Sequence, residues 1–165
     1  MGRNGALWGA FNPPRPMSSP AKPFFTGSFR HTIDDKNRLT IPSAWRTAHA
    51  EGDTFLVVPL DGFLIVLPPA EAQKLYDRVA AQSLADSEAQ EAAADFFSKT
   101  LSFSFDKAGR VMLTPELCAH AGVAKDAVLV GSMNKFNIYS PDAWDRVQAA
   151  TAAQKPGDRL RRMGI

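Results

Sequence analysis

Short runs of alternating apolar and polar residues, separated by Gly, Pro and Asp, run through the middle of the chain. The alternation over Phe29–Ile33 predicts a strand, and the strand pattern resumes at Leu39–Ile41 after a charged turn. The apolar runs FLVVP and FLIVL flank Asp61 and Gly62, which predicts a hairpin because Asp-Gly tolerates the positive φ of a tight turn. AVLVG, a SMNK turn and FNIY predict a second hairpin further along.

Prolines mark the predicted helix starts near each charged turn. Pro42 suits the first position of a helix that runs through SAWRTAHAE to Gly52, where a left-handed residue can end it. In the second half, Thr114 is the predicted N-cap, Pro115 the first helical residue and Gly122 the stop.

A further proline follows each hairpin and predicts another helix. The first helix is long and alanine-rich, over Pro69–Ser98, with a break expected near Ser83–Ser87. The second runs from Pro141 towards Ala153. The sequence ends in KPGDRLRRMGI, which has few core residues and predicts a frayed, solvated end.

The two halves of the chain match each other at fixed offsets. Asp34 and Arg38 correspond to Asp106 and Arg110 with a shift of 72 residues, and FLIVLPPA corresponds to FNIYSPDA with a shift of 73. This order and spacing predict an internal duplication. A half of about 45 residues is too small to bury an adequate core alone. We therefore expect an α+β protein, mainly β, whose two halves interleave their strands in one small barrel.

The charged turns DDKNR and DKAGR share a predicted geometry. Asn37 and Gly109 precede the two arginines, and these residue types most readily adopt a left-handed backbone. Asp34 and Asp106 begin the turns, where a carboxylate can accept backbone N–H groups, so all four residues are expected to structure the turns.

Two interpretations of the turn arginines stay open at this stage. Each arginine can simply tie the turn to its aspartate, or it can present its remaining N–H donors to phosphate or guanine. For the aspartates we expect the structural role. If these donors meet phosphate or guanine, we expect Arg38, Arg30, Lys36 and Arg46 to make most of the contact, with Arg110 and Lys107 either duplicating it or serving structure.

The quoted motifs carry a family resemblance. FxGSFxHTIDDKxRLTIPxxWR, from Phe25 to Arg46, resembles the start of the bacterial MraZ family, and DKAGRVMLTPELCAHAGV with VLVGSMNKFNIYSPDAW resembles its second half. Three features depart from the family pattern. Extra residues precede Phe25, Asn37 stands where glycine is usual, and Thr26 replaces a commoner basic residue.

The resemblance implies two tandem AbrB-like (SpoVT-type, swapped-hairpin) β-barrel half-units with pseudo-twofold symmetry, joined by helical connectors. The expected division is a flexible N-terminal tail over residues 1–24, repeats over residues 25–71 and 100–143, a helical connector over residues 72–99, and a C-terminal helix and basic tail over residues 144–165.

The resemblance also implies a function. It implies a ring-forming homo-oligomer that regulates transcription by binding double-stranded DNA at direct repeats in its own promoter region. The expected effect is repression of the division and cell wall gene cluster that contains its own gene, with a cytoplasmic, nucleoid-associated location. No cofactor, small-molecule substrate or membrane association is expected.

Charge and composition fit this expectation. The net charge is only +2, but the segments differ: residues 1–68 carry +2, residues 69–99 carry −3 and residues 100–165 carry +3. The acidic connector therefore lies between two basic repeats. Cys118 is the only cysteine, which excludes an internal disulfide and fits a reducing compartment.

Other function classes lack support in the sequence. His31, His49 and His120 have no metal-ligand spacing, so surface or packing roles are expected for them. No Gly-x-Ser-x-Gly elbow surrounds a serine, and no enzyme is expected. A protein-interaction scaffold without DNA binding remains the alternative function.

Overall fold

The computed structural model describes residues 24–165. The predicted flexible tail lies outside the described residues except for Phe24, whose side chain is exposed. The described part of the chain contains eight strands in two sheets, together with six helices. The predicted α+β architecture is confirmed.

The elements follow the chain in two similar series. The first repeat forms β1 (Ser28–Thr32), β2 (Arg38–Thr40), α1 (Ser43–Arg46), β3 (Phe55–Leu60) and β4 (Phe63–Leu67). Two helices connect the repeats, α2 (Pro69–Ala80) and α3 (Ser87–Ser98). The second repeat forms β5 (Leu101–Phe103), β6 (Arg110–Met112), α4 (Pro115–Ala121), β7 (Asp126–Gly131) and β8 (Phe136–Tyr139). The helices α5 (Pro141–Ala152) and α6 (Pro156–Arg162) follow.

The strands of the two repeats interleave, as the small size of each half predicts. The larger sheet has the order β1-β7-β8-β4-β3-β5, and the smaller one pairs β2 with β6. Four pairings cross between the repeats: β1 with β7, β5 with β3, β2 with β6, and β4 with β8. Of these strands, β1, β2, β5 and β6 have no partner in their own repeat. Each repeat by itself retains only one hairpin, β3–β4 or β7–β8.

The core is a shared aromatic and aliphatic cluster. Phe25 and Phe55 from the first repeat and Phe136 from the second are fully buried. Trp45 lies 5.8 Å from Phe25 and 5.0 Å from Phe136, measured between ring centroids. Burial of rings of this size stabilises the junction of the repeats by several kcal/mol, at roughly 25 cal/mol per Å² of apolar area removed from water.

Local sequence signals set most element boundaries. Gly62 has φ +79 in the two-residue turn between β3 and β4, and Gly122 has φ +67 after α4. Thr114 caps α4 by accepting a hydrogen bond from the backbone N–H of Leu117. The predicted break in the long connector falls between α2 and α3, where the side chain of Asp86 caps α3.

The helix predicted from Pro42 to Gly52 is much shorter than expected. It covers only Ser43–Arg46, and Pro42 is its N-cap rather than its first residue. The chain then turns, because the carboxylate of Asp53 accepts the backbone N–H of Ala50 at 2.9 Å. These turns place His49 against the aromatic core. Tertiary packing therefore overrides the local helical pattern.

The expectation of a frayed C-terminal end is wrong for Pro156–Arg162, which forms α6. Asp158 lies in its first turn and basic residues lie in its last, an arrangement that complements the helix dipole. Arg161 also donates to Asp158 at 2.9 Å. The segment is exposed to solvent, as predicted.

Candidate nucleic-acid interface

The two DxxxR turns have the same hydrogen-bond pattern. In the first, one carboxylate oxygen of Asp34 accepts the backbone N–H groups of Lys36 at 3.0 Å and Arg38 at 2.8 Å. The other oxygen accepts Nε–H of Arg38 at 2.6 Å. The aspartate thus joins the start, the tip and the end of the turn, which makes the loop rigid.

The second turn repeats these contacts with different residues. Asp106 accepts the backbone N–H groups of Ala108 and Arg110, both at 2.9 Å, and Nε–H of Arg110 at 2.9 Å. Asn37 has φ +58 and Gly109 has φ +72, so both turns close through a left-handed residue just before the arginine. The duplication in sequence is also a duplication in geometry.

Hydrogen bonding lowers the pKa of both turn aspartates. The backbone N–H of Arg38 has the largest effect on the pKa of Asp34, and the backbone N–H of Arg110 has the largest effect on that of Asp106. A depressed folded-state pKa means that the associated stability is present above the ordinary pKa and is lost as the pH falls through the folded value. Both aspartates therefore stay ionised at neutral pH, and both turns stay closed.

Pairing of β2 with β6 brings the two arginines to one surface. Arg38 lies opposite Met112, and Arg110 lies opposite Thr40. Side chains directly opposite in an antiparallel pair share a face, as do residues two apart in one strand. We call the side formed by Arg38, Thr40, Arg110 and Met112 the ribbon face.

The opposite side of this two-stranded ribbon is buried. Leu39 is 0% exposed and Val111 1% exposed, which fixes the ribbon on the core with its arginines outward. The side chains of Arg38 and Arg110 are each 31% exposed. Only Nε of each is bound to its aspartate, and within residues 24–165 no hydrogen bond engages their Nη groups. Both guanidinium groups therefore keep donors available on the ribbon face.

Lys36 and Lys107 extend the cationic surface beyond the ribbon. Each is exposed at the tip of its turn, and the two turns lead into opposite ends of the ribbon because the strands are antiparallel. The exposed carboxylate of Asp35 also lies in the first turn, and the second turn has no counterpart to it. The second turn consequently carries the more positive charge.

The two remaining predicted contact residues lie elsewhere. Arg30 is exposed on β1, at the edge of the larger sheet, in a shallow cleft whose wall includes Trp144 and Asp145 of α5. Arg46 belongs to α1 but its guanidinium lies on Gly109 of the second turn. The structure thus groups Arg46 with the second turn, although it follows the first turn in sequence.

Sequence reasoning missed three features of this surface. Thr40 and Met112 complete the ribbon face, but their place depends on the pairing between repeats. His49 was expected only to pack or to lie at the surface. Its ring does pack against Phe55 at 4.7 Å, yet it also forms part of the wall of a cleft beside the second turn.

Comparison with known proteins decides the family. The family model described as "MraZ protein, putative antitoxin-like" matches this chain twice, over residues 24–95 and over residues 96–162. The chain belongs to the MraZ family. The resemblance seen in the turn motifs is confirmed.

Three relatives illustrate the similarity, and each is named a transcriptional regulator MraZ. The protein from Thermomicrobium roseum is 36% identical over 132 residues, covering 80% of this chain and 92% of the relative. The one from Limosilactobacillus fermentum is 35% identical, covering 78% and 90%. The one from Desulfitobacterium hafniense is 35% identical, covering 86% and 99%. These three relatives are thus named as regulators of transcription, a role that is not enzymatic.

No helix within residues 24–165 of this MraZ-family chain combines the length and the apolar character needed to cross a membrane. In the same part of the chain, no three His, Cys, Asp or Glu side chains are grouped as metal ligands.

Replacing Gly109 in the second MraZ turn with alanine is expected to destabilise the fold by about 1–3 kcal/mol. Its φ is +72, a region that costs an L-residue about 1–2 kcal/mol. A Cβ there would also lie 2.0 Å from Nη1 of Arg46, so that side chain must move. Urea unfolding measures the change. Asn37→Gly is the matched control, because residue 37 has φ +58. Equal losses of stability in the two variants would contradict this explanation.

Burial lowers the pKa of His49 below its ordinary value of 6.5, while Asp53 opposes the shift. The folded state therefore binds a proton less readily than the unfolded state, so stability falls as the pH drops below about 6.5. We expect the free energy of unfolding to decrease between pH 7.5 and 5.0. His49→Gln should flatten that decrease, whereas His31→Gln should preserve it. Urea unfolding at both pH values tests this. An equal decrease in the free energy of unfolding in wild type and in His49→Gln would disprove it.

Proposed function

We propose that this chain regulates transcription by binding double-stranded DNA through the ribbon face and the two DxxxR turns. The observation that carries the proposal is the position of Arg38 and Arg110 on one exposed face of a rigid two-stranded ribbon. A two-stranded β-ribbon fits the major groove of B-DNA, which is about 12 Å wide.

The spacing of the charges suits a duplex. Arg38 and Arg110 are diagonal neighbours across the ribbon, so their Cα atoms lie about 7–8 Å apart. Lys36 and Lys107 continue this cationic surface at the two ends. In the proposed complex, the arginine Nη groups reach base edges or phosphates inside the groove, and the lysines contact phosphates at its sides.

One subunit offers too few contacts for tight binding. Non-specific binding of such a small cationic surface at physiological salt has a Kd on the order of 10⁻⁴ to 10⁻⁶ M. We infer that several copies act together, as in a ring reading direct repeats, because linked weak contacts gain affinity through effective concentration. The proposed target is the promoter of its own gene within a division and cell wall gene cluster, with repression as the outcome and the nucleoid as its location.

A scaffold without DNA binding is the second candidate, and one observation favours it. Nε of both ribbon arginines is already bound to an aspartate, as expected if the arginines only close the turns. The two candidates differ in their electrostatics, because a scaffold has no reason to bind a duplex in a salt-dependent way.

Binding to upstream DNA across a salt series separates the candidates. About four phosphate contacts per bound subunit predict a log–log slope near −3.6 for the binding constant against salt concentration. A duplex of unrelated sequence serves as the control and should bind more weakly with a similar slope. A flat salt dependence, or no binding at low salt, would favour the scaffold.

A further inference from the structure

Two buried nitrogen atoms without hydrogen-bond partners lie beside the second turn. Within residues 24–165, Nε of Arg46 and Nε2 of His49 are both inaccessible to solvent and unpaired. The side chain of His49 is only 5% exposed. Buried polar groups are almost always paired in folded proteins, so each of these nitrogens calls for a hydrogen-bonding group.

Both residues line the same cleft. It has a volume of about 360 Å³ and lies between the loop after α1 and the second DxxxR turn. Lys107 and Glu51 also contribute to its wall. A volume of this order suits a small polar ligand or the phosphate end of a larger one.

The Arg46 guanidinium packs against Gly109 at this cleft. A Cβ on residue 109 would lie 2.0 Å from Nη1 and 2.3 Å from Cζ of Arg46, so the guanidinium lies directly on the glycine backbone. Only a glycine at this position leaves room for that contact. The charge of Arg46 therefore lies beside the second turn.

With the charge of Asp106 balanced by its ion pair to Arg110, the cleft wall has two cations against one other carboxylate, which favours an anion. Arg46 and Lys107 are permanent cations at neutral pH. Asp106 also lines the cleft, but its carboxylate is occupied by Nε of Arg110 and by two backbone N–H groups. Glu51 is the one remaining acid in the wall, and it is exposed to solvent.

The second repeat has no arginine equivalent to Arg46. At the 72-residue offset that aligns the two turns, Arg46 corresponds to Cys118, which is uncharged and buried. The two turns therefore match in backbone geometry and differ in the chemistry beside them.

We propose that the cleft lined by Arg46, His49 and Lys107 binds a phosphate group. Its oxygens accept hydrogen bonds from the Arg46 guanidinium and from the Lys107 ammonium. The phosphate comes either from the DNA backbone next to the second turn or from a free small molecule. The DNA source rests on the proposed function, whereas phosphate binding by the cleft does not.

Nuclear magnetic resonance with inorganic phosphate tests the cleft directly. At constant ionic strength, replacing chloride with phosphate should give saturable shifts in the Nε–H signal of Arg46 and the backbone amide of Lys107. The amide of Lys36 in the first turn should not move. Arg46→Gln and Lys107→Gln should each weaken phosphate binding about tenfold, as loss of a charge-assisted hydrogen bond predicts. Lys155→Gln, at an exposed lysine outside the cleft wall, is the matched control and should leave phosphate binding unchanged.

A competition experiment then identifies the source of the phosphate. If the cleft holds a DNA phosphate, inorganic phosphate should displace an upstream duplex more strongly than chloride does at the same ionic strength. If phosphate and chloride displace the duplex equally while phosphate saturates the cleft, the cleft binds a free phosphate compound and not a DNA phosphate.

Absence of saturable shifts at Arg46 and Lys107, with inorganic phosphate and with DNA, would overturn the inference even if DNA binding is normal. Failure to bind any duplex would instead contradict the proposed function. The phosphate titration would then still show whether the cleft binds phosphate. Lys107→Gln keeps the test valid if Arg46→Gln does not fold, because Lys107 is exposed at the tip of its turn.

Discussion

Replacing Arg38 and Arg110 together with alanine should reduce affinity for upstream DNA by a factor of about 10² to 10⁴. Each guanidinium group keeps Nη donors exposed on the ribbon face, and one charge-assisted or base-specific contact contributes about 1.5–3 kcal/mol. Two such contacts correspond to about 3–6 kcal/mol if they are independent. Binding measured by fluorescence anisotropy at one fixed salt concentration gives the ratio.

The control must remove the same charge from another surface. Arg78 on α2 and Arg146 on α5 are both exposed and lie on helices outside the ribbon. The Arg78→Ala and Arg146→Ala double variant should keep affinity within about threefold of wild type, because distant surface charges act weakly through screened electrostatics. Equal losses of DNA affinity in the two double variants would mean that only net charge matters, and would contradict a specific role of the ribbon face.

Stability must be followed in the same variants. The ion pairs of both ribbon arginines are partly exposed, so their loss should lower the free energy of unfolding by no more than about 1 kcal/mol each. Asp34 and Asp106 still accept backbone N–H groups after the substitution. A loss of DNA binding in a folded variant therefore reports on recognition.

Separating the two repeats should unfold both. We consider a cut in the link between α2 and α3, at Ser83–Asp86. The N-terminal fragment loses the partners of β1 and β2, and the C-terminal fragment loses the partners of β5 and β6. Each fragment retains one hairpin, and an isolated two-stranded hairpin is at best marginally stable in water. Circular dichroism and amide dispersion should show two unfolded fragments.

Mixing the two fragments should restore the native spectrum, because the strand pairings and the aromatic core form between them. As a control, the intact protein cut by a protease at an engineered site in the same link should stay folded. A native spectrum from either fragment alone would show that a repeat can fold independently and would contradict the interleaved architecture.

The sequence was sufficient to predict elements whose signals are local. Gly62 requires a positive φ in its hairpin turn, and Thr114 caps its helix with its own side chain. Asn37 and Gly109 predict their turns for the same reason, because few residues tolerate that backbone conformation. These predictions hold since the deciding interactions span only a few residues.

Features set by long-range packing could not be predicted in the same way. The helix from Pro42 was expected to reach Gly52, but the chain turns after Arg46 and places His49 between Phe25 and Phe55. The location of Arg46 on the second turn has the same origin. Hydrophobic pattern shows which residues are buried but not which distant strand or turn they meet.

The candidate site also combines features set by local signals with features set by long-range packing. The pairing of each aspartate with an arginine four residues later follows from the turn motif. The meeting of both arginines on one face depends on Arg38 lying opposite Met112, a register between residues far apart in the chain. Arg30 was expected to contact DNA together with Arg38, as part of the first half, yet it lies on β1 in the other sheet.

Photocrosslinking from the ribbon face tests the central claim most directly. Met112 lies on that face and is 64% exposed, and Tyr76 on α2 is 68% exposed. A benzophenone amino acid at position 112 should crosslink to bound upstream DNA, and the same group at position 76 should not. Crosslinks from position 76 without any from position 112, in variants that bind DNA equally, would show that another surface contacts the duplex.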